Sequence, residues 1–163
     1  MSERDDGLTH LDAEGRTRMV DVTQKDSTSR VAEAEGRIVM APETLDRIRR
    51  GETPKGNVLQ VAELAGVMAG KKTGDLIPLC HQLPGASVEV RLEADPDLPG
   101  IVAHAIARYT GATGVEMEAL TAVSVSLLTV YDMVKAVDRG MRVEGIRLLR
   151  KEGGRSGSWT AAE

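Results

Sequence analysis

Aromatic residues and cysteines are scarce in this sequence of 163 residues, which has no Phe, one Trp, two Tyr and one Cys. So few aromatics argue against a platform on which the bases of a single-stranded nucleic acid could stack. The single cysteine, Cys80, excludes an intrachain disulfide and a cysteine-rich zinc site. It also fits a reducing, cytoplasmic setting.

Charge of one sign is likewise not in excess. The formal net charge is −4 and the isoelectric point is near 5.5, which argues against a protein that wraps nucleic acid. The first residues are charged and lack an apolar core, so we expect no secretory signal. With 41% hydrophobic and 28% charged residues, we expect one globular domain over residues 8–159 after a polar tail over residues 1–7.

Periodicity predicts alternating strands and helices after this tail. Arg37 to Met40 resembles a short strand, Pro42 begins a helix, and Gly51 can end it. A second helix should follow residues 53–57 and stop near residues 69–70. Its expected buried face is a set of residues spaced by three and four: Val58, Val61, Leu64, Ala65 and Met68.

Strand patterns dominate the second half of the chain. Alternation over residues 88–93, a turn at 96–100 and an apolar run over 101–109 predict a hairpin. A long helix is expected over residues 115–137 and a last strand over 145–150. The order strand, helices, strand, strand, helix, strand predicts an α+β fold of the ferredoxin-like, split β-α-β type, with helices on one face of an antiparallel sheet.

The long helix is apolar nearly all round, so a membrane span is its obvious rival interpretation. Its uncharged stretch runs only from residue 119 to residue 131, which is shorter than the roughly 20 residues that a bilayer requires. We therefore expect no membrane contact and predict that the helix packs against partner helices or another subunit.

Three charged residues on this helix have a defined geometry. Asp132 and Lys135 are three residues apart and share a face, which could be no more than an ordinary surface ion pair. Glu118 returns to nearly the same azimuth but lies roughly 21 Å away along the axis. Val125 and Leu128 lie between them on this face, and an antiparallel two-fold pairing centred near Val125 would bring Glu118 of one copy beside Asp132 of another.

A second candidate region is the apolar segment over residues 76–84, which carries Cys80 and His81 between two prolines. His81 could donate a proton or contact an anion, or it could simply be a hydrogen-bonded, half-buried side chain. Cys80 would need an activating base to act as a nucleophile and is predicted to be an inert thiol. A metal site from Cys80 and the three histidines lacks ligand spacing, so no metal is expected.

Two loops remain open to interpretation. Lys55 stands between Pro54 and Gly56 at a helix entry, where an ammonium and backbone N–H groups can hold phosphate. The glycines of residues 110–114 are not followed by a Gly-Lys-Ser/Thr sequence, and a plain turn is the better interpretation.

Several segments, taken in this order, resemble the MoaC family, the cyclic pyranopterin monophosphate synthases of molybdenum cofactor biosynthesis. The most specific are Leu-Ile-Pro-Leu-Cys-His at residues 76–81 and Thr-Gly-Val-Glu-Met-Glu-Ala at residues 113–119. The others are Thr9-His10, Met19-Val20-Asp21-Val22, Lys55-Gly56, Lys71-Lys72-Thr73 and Tyr131-Asp132-Met133-Val134-Lys135-Ala136. The similarity runs from about residue 8 to residue 159.

The resemblance implies a homohexamer, a trimer of dimers, with sites at subunit interfaces and no cofactor. It implies that 3′,8-cyclo-7,8-dihydroguanosine triphosphate, made by a partner radical SAM enzyme, is converted to cyclic pyranopterin monophosphate with release of pyrophosphate. By match to the family's motifs, Asp132, Lys135 and Lys55 would be catalytic. The residues expected to bind substrate are Leu79, Cys80, His81, Met117 and Glu118, with Lys71, Lys72 and Arg108 as further cations for the triphosphate.

Three positions depart from the family's usual pattern. Asn57 stands where many relatives have Asp, Gln82 replaces the usual Pro after Cys-His, and Arg155 replaces Lys in the Gly-rich tail. The alternatives to an enzyme are a ligand-binding module without catalysis and a scaffold at a subunit interface.

Overall fold

The computed structural model describes residues 16, 17, 19 and 26–162, and the segments expected at residues 1–7, 9–10 and 20–22 lie outside them. Its helices and strands, in chain order, are β1 (Thr28–Val39), α1 (Pro42–Arg49), α2 (Val58–Gly70), α3 (Thr73–Leu76), β2 (Ser87–Asp95), β3 (Gly100–Gly111), α4 (Glu116–Val134), β4 (Arg142–Glu152) and β5 (Trp159–Thr160).

The strands form one antiparallel sheet in the order β2-β3-β1-β4-β5. Because β1 and β2 are separated by β3, the connection through α1 and α2 crosses over a strand, and this is the split β-α-β arrangement. The predicted ferredoxin-like, α+β fold is confirmed. The short β5, which pairs with β4 at Lys151 and Arg150, was not predicted.

Alternation along the central strands separates an apolar face from a charged face. In β3, Ile101, Ala103, Ala105 and Ala107 are buried under the helices, while the residues between them face the other side of the sheet. That other side carries cross-strand ion pairs, such as Arg147 with Glu35 and Arg150 with Glu33. The helices therefore cover only one face, as the sequence predicts.

The strand predicted at Arg37 to Met40 corresponds, up to Val39, to the end of a much longer one, β1. Its earlier half is rich in Ala and Glu, which favour helix, and this hid the strand from periodicity. Packing decides the outcome, since β1 lies between β3 and β4 directly beneath α4. At Gly36 an added Cβ would lie 2.8 Å from Val123 Cγ1, so α4 needs small residues below it.

The long helix α4 ends at Val134, earlier than the expected residue 137. It is long and apolar enough to cross a membrane by length and composition. However, Ala119, Val123, Leu127 and Val130 are fully buried within the domain, and α4 contacts both α2 and the sheet. These contacts identify α4 as the central core helix of this fold.

The helix predicted after residues 53–57 is present as α2, but its predicted buried face is wrong. Val58 is buried, whereas Val61, Leu64 and Met68 are exposed and Ala65 is half-buried. The face that packs on α4 is instead made of small residues: Ala62, Gly66, Ala69 and Gly70. Small residues allow the two helix backbones to approach closely, and the large side chains are left on the outer side.

Candidate active site

Asp132 is held between two lysine ammonium groups at one end of the helical layer. Lys55 Nζ lies 2.7 Å from Asp132 Oδ2, and Lys135 Nζ lies 2.6 Å from Asp132 Oδ1. Lys55 also donates to the backbone oxygen of Asp132 at 3.3 Å. Lys55 and Asp132 are 77 residues apart in sequence, so the fold, and not local spacing, creates this cluster.

Local structure explains how Lys55 reaches α4. It lies in the turn that enters α2, where Gly56 has a φ of +85°, a value that favours glycine. Asn57 is the N-cap of α2, and its side chain accepts a hydrogen bond from Gln60 N at 3.1 Å. Because Asn and Asp cap helices about equally well, the departure at Asn57 preserves the start of α2 and thereby the turn that carries Lys55.

The two lysines keep the carboxyl group of Asp132 ionised. Hydrogen bonds from Lys135 and then Lys55 lower the pKa of Asp132 to about 2. The same contact with Asp132 raises the pKa of Lys135. At neutral pH Asp132 is therefore a carboxylate and Lys135 an ammonium. All three side chains are about half exposed in the single chain.

A second group of predicted residues lies at the opposite end of α4. Lys71, Lys72 and Glu118 line a cavity of about 150 Å³ between the end of α2, α3 and the start of α4. Glu118 is only 3% exposed, and burial raises the pKa of its carboxyl group. The cavity thus combines two ammonium groups with a carboxyl group whose charged form lacks full solvation.

The segment over residues 77–84 adjoins this cavity. Leu79, Cys80 and His81 are half-buried, and Leu79 has a φ of +61°. Burial, with a further contribution from the charge of Glu118, raises the pKa of the Cys80 thiol. The thiol is therefore protonated at neutral pH, which argues against a thiolate nucleophile.

Met117 and Arg108 complete the set of predicted residues. Met117 is 37% exposed beside Glu118 in the first turn of α4. Arg108 lies in β3 on the face of the sheet opposite the helices, where it pairs with Glu89. Within one chain, Arg108 is therefore separated from Lys71 and Lys72 by the sheet.

One chain does not bring the two ends of α4 together. Glu118 and Asp132 are fourteen residues apart, a separation of roughly 21 Å along the helix. The surface between them changes along its length, from buried Glu118 and Thr121 through half-buried Val125 to exposed Leu128. Only the half of this face nearest Asp132 is open to a neighbour.

Sequence reasoning missed a further cavity at the edge of the fold. It has a volume of about 460 Å³ and is lined by residues of β1, of the glycine turn before α4 and of the Gly-rich tail, including Arg30 and Arg155. Nearby, Lys151 pairs with Glu116 at 3.1 Å. The signals in the sequence are the glycine turn at residues 110–114, for which a plain turn is the better interpretation, and the positive charge of Arg155 in the Gly-rich tail, whereas Arg30 gives none.

The described residues also bear on metals. Among them no group of three or more His, Cys, Asp or Glu side chains is placed to hold a metal ion. His10 lies outside the described residues.

Comparison with known proteins assigns the chain to a family. Residues 19–154 match the MoaC family. A protein named cyclic pyranopterin monophosphate synthase from Methylobacterium sp. (strain 4-46) is 65% identical over 154 residues, which is 94% of this chain and 96% of that protein. A protein of the same name from Cereibacter sphaeroides (strain KD131) is 58% identical over 156 residues, which is 96% of this chain and 98% of that protein. Another, from Brucella ovis, is 54% identical over 156 residues, which is 96% of this chain and 94% of that protein. The chain belongs to the MoaC family.

Proposed function

We propose that this protein is a cyclic pyranopterin monophosphate synthase of molybdenum cofactor biosynthesis. It would convert 3′,8-cyclo-7,8-dihydroguanosine triphosphate to cyclic pyranopterin monophosphate and release pyrophosphate, as a lyase. The observation that carries the proposal is the carboxylate of Asp132 between the amines of Lys55 and Lys135. Family membership and the names of the relatives support it.

The charge states suggest distinct roles for Asp132 and Lys135. Opening and reclosing a purine-derived ring requires protons to be moved on and off nitrogen and carbon. Before substrate binds, Asp132 is a carboxylate with a pKa of about 2 and Lys135 is an ammonium whose pKa is raised, and both shifts come from contacts within the cluster. Proton transfer is most efficient when the pKa values lie near the operating pH, so a substrate that separates the two groups would make Asp132 a stronger proton acceptor and Lys135 a stronger proton donor. Lys55 serves as the second cation, next to both the carboxylate and the backbone oxygen of Asp132.

The residues around the cavity that contains Glu118 would recognise the substrate. Glu118 can accept two N–H bonds from a guanidine-like edge, and such bonds would restore solvation that burial removes. Lys71 and Lys72 would hold phosphate oxygens. Leu79, Cys80, His81 and Met117 would line the pocket, and Arg108 would add a cation from the far face of the sheet, which requires another copy of the chain.

Assembly would join the two ends of α4. We propose a homohexamer, a trimer of dimers, in which the Asp132 cluster of one copy adjoins the Glu118 cavity of another. The exposure of Leu128 beside Asp132 supports a contact there. The substrate would come from a radical SAM enzyme that cyclises GTP, in the cytoplasm.

Turnover of the cyclic substrate by the purified protein tests the function. We expect pyrophosphate release by the wild-type chain and a loss of about 100-fold or more in Asp132→Ala, Lys135→Ala and Lys55→Ala, the scale of acid–base catalysis. Arg37→Ala is a matched control, since it removes an exposed ion pair with Glu144 on the opposite face of the sheet.

Each other outcome would contradict the proposal in a distinct way. Tight binding of the substrate without turnover by the wild-type chain would indicate a binding module. No binding of the substrate by the wild-type chain, with Lys55→Ala behaving like the wild type, would indicate a scaffold.

A further inference from the structure

A side-chain hydrogen bond closes the loop that carries Cys80 and His81. Gln82 Nε2 donates to Asp75 Oδ1 at 2.7 Å. Asp75 belongs to α3, and Gln82 follows His81 directly, so the bond ties the two ends of the intervening segment to each other. The bond adds to the packing of Leu83 against the core in holding the end of this segment on α3.

The backbone at Gly74 shows that this closure is a close contact. A Cβ added at Gly74 would lie 2.7 Å from Gln82 Cγ and 3.0 Å from Gln82 Cα. The chain at Gln82 therefore passes directly over α3, where only glycine leaves room. Two independent observations, the hydrogen bond and the close approach, place Gln82 against the same turn.

The conformation between these ends is one that surrounding contacts must hold in place. Leu79 adopts a φ of +61°, which a leucine rarely occupies without support from its surroundings. A turn in which Cys80 N donates to Ile77 O at 3.2 Å precedes His81. A strained loop persists only when neighbouring contacts fix it, and the contact between Gln82 and Asp75 is placed to do so.

Asp75 and Gln82 also line the cavity that contains Glu118, Lys71 and Lys72. We infer that Asp75 and Gln82, which line this cavity themselves, are positioning residues: their hydrogen bond holds the adjoining segment with Cys80 and His81 beside the cavity and so sets the affinity for the nucleotide-derived substrate. The inference rests on the proposed function for its consequence in substrate binding. Its structural half, the ordering of the loop, stands without that function.

The only cysteine of the chain reports directly on this loop. We expect iodoacetamide at about pH 8 to alkylate Cys80 about threefold to tenfold faster in Gln82→Ala than in the wild-type chain, the scale of one exposed hydrogen bond. Asp75→Ala should react as fast as Gln82→Ala, and the double variant no faster than either. Arg37→Ala, which removes an exposed pair on the opposite face of the sheet, should match the wild type.

Asp75→Asn separates the hydrogen bond from the charge. It keeps an acceptor oxygen for Gln82 and removes only the negative charge, and the pKa of Cys80 is raised by burial and by Glu118 and not by Asp75, so we expect wild-type reactivity. Equal alkylation rates in the wild type and Gln82→Ala, additive effects in the double variant, or rapid alkylation of Asp75→Asn would each overturn the inference.

Kinetics test the consequence for the substrate. In Gln82→Ala and Asp75→Ala the KM for the cyclic triphosphate should rise about threefold to tenfold while kcat changes less than about twofold, with Asp75→Asn restoring the wild-type KM. An unchanged KM beside a fallen kcat would refute the role. If the wild-type chain itself released no pyrophosphate, the proposed function would fail, while the alkylation rates would still decide whether the pair positions the loop.

Discussion

The close contact between α2 and α4 predicts the effect of one added methyl group. In Gly66→Ala the new Cβ would lie 2.1 Å from Ser126 Oγ and 2.8 Å from Ala122 O. Ser126 is fully buried, and a backbone oxygen cannot retreat without the helix that carries it. The methyl group can therefore be accommodated only if α2 moves away from α4.

The size of the effect follows from two opposing terms. Overpacking a core costs typically about 1–3 kcal/mol, whereas Ala in place of Gly inside a helix gains about 0.8–1.0 kcal/mol. Since both contacts are shorter than real Cβ contacts allow, we expect the upper part of the range and a net loss of about 1–2 kcal/mol. For a domain of this size that lowers Tm by about 2–8 °C.

Thermal unfolding followed by circular dichroism measures this loss, with Gln60→Ala on the exposed side of α2 as the control. Ser126→Ala should by itself be neutral or stabilising, because Ser126 Oγ is buried without a hydrogen-bond partner. In Gly66→Ala combined with Ser126→Ala the first clash is gone, so part of the lost stability should return. A Tm for Gly66→Ala at or above that of the wild type would refute the reasoning, as would strict additivity of the pair.

Three further predictions concern charge and assembly. Burial raises the pKa of Glu118 above its unfolded value, so the stability linked to its protonated form is full below that unfolded value and is lost as pH rises through the folded pKa. Glu118→Gln should therefore have a higher Tm than the wild type near pH 8, and the difference should close toward about pH 4. A difference in Tm that stays constant with pH would contradict this. Carbon-13 NMR should show Asp132 titrating at a pKa of about 2. This pKa should rise more in Lys135→Ala than in Lys55→Ala, because Lys135 contributes more than Lys55 to lowering it. An equal pKa of Asp132 in the wild type and both variants would refute the cluster. Mixed oligomers of Asp132→Ala and Glu118→Ala subunits should regain part of the activity that each lacks alone, whereas a complete absence of complementation would exclude a shared site.

The fold could be predicted where local patterns and packing agree. Pro42 begins α1 and Gly51, at a φ of +70°, follows its end, so the signals at both ends, with Leu45 and Ile48 at helical spacing between them, located this helix. The hairpin of β2 and β3 followed from the alternation over residues 88–93, the turn at 96–100 and the apolar run over 101–109. Local patterns failed at β1, because the strand preference of its Ala- and Glu-rich half is imposed by β3 and β4 on either side.

The site could be predicted as a set of residues but not as a geometry. Asp132 and Lys135 share a helix turn, which spacing reveals. Lys55 joins them only because α2 packs against α4, and no local pattern encodes a contact between residues 77 positions apart. The direction of the pKa shifts likewise needed the structure, because a Lys beside an Asp can be shifted either way until burial is known.

The misjudged face of α2 and the construction of the site have the same physical cause. A hydrophobic pattern ranks side chains by size and so selects Val61, Leu64 and Met68, whereas the contact with α4 requires the absence of side chains at Gly66 and Gly70. α2 runs antiparallel to α4. The turn before the first residue of α2 therefore places Lys55 beside Asp132, and Lys71, which follows the last residue of α2, lies at the cavity of Glu118. Both halves of the proposed site therefore depend on how closely two helix backbones approach. A chain that kept every charged residue but carried a larger side chain at position 66 would retain the family's motifs and lose the geometry that makes them chemically useful.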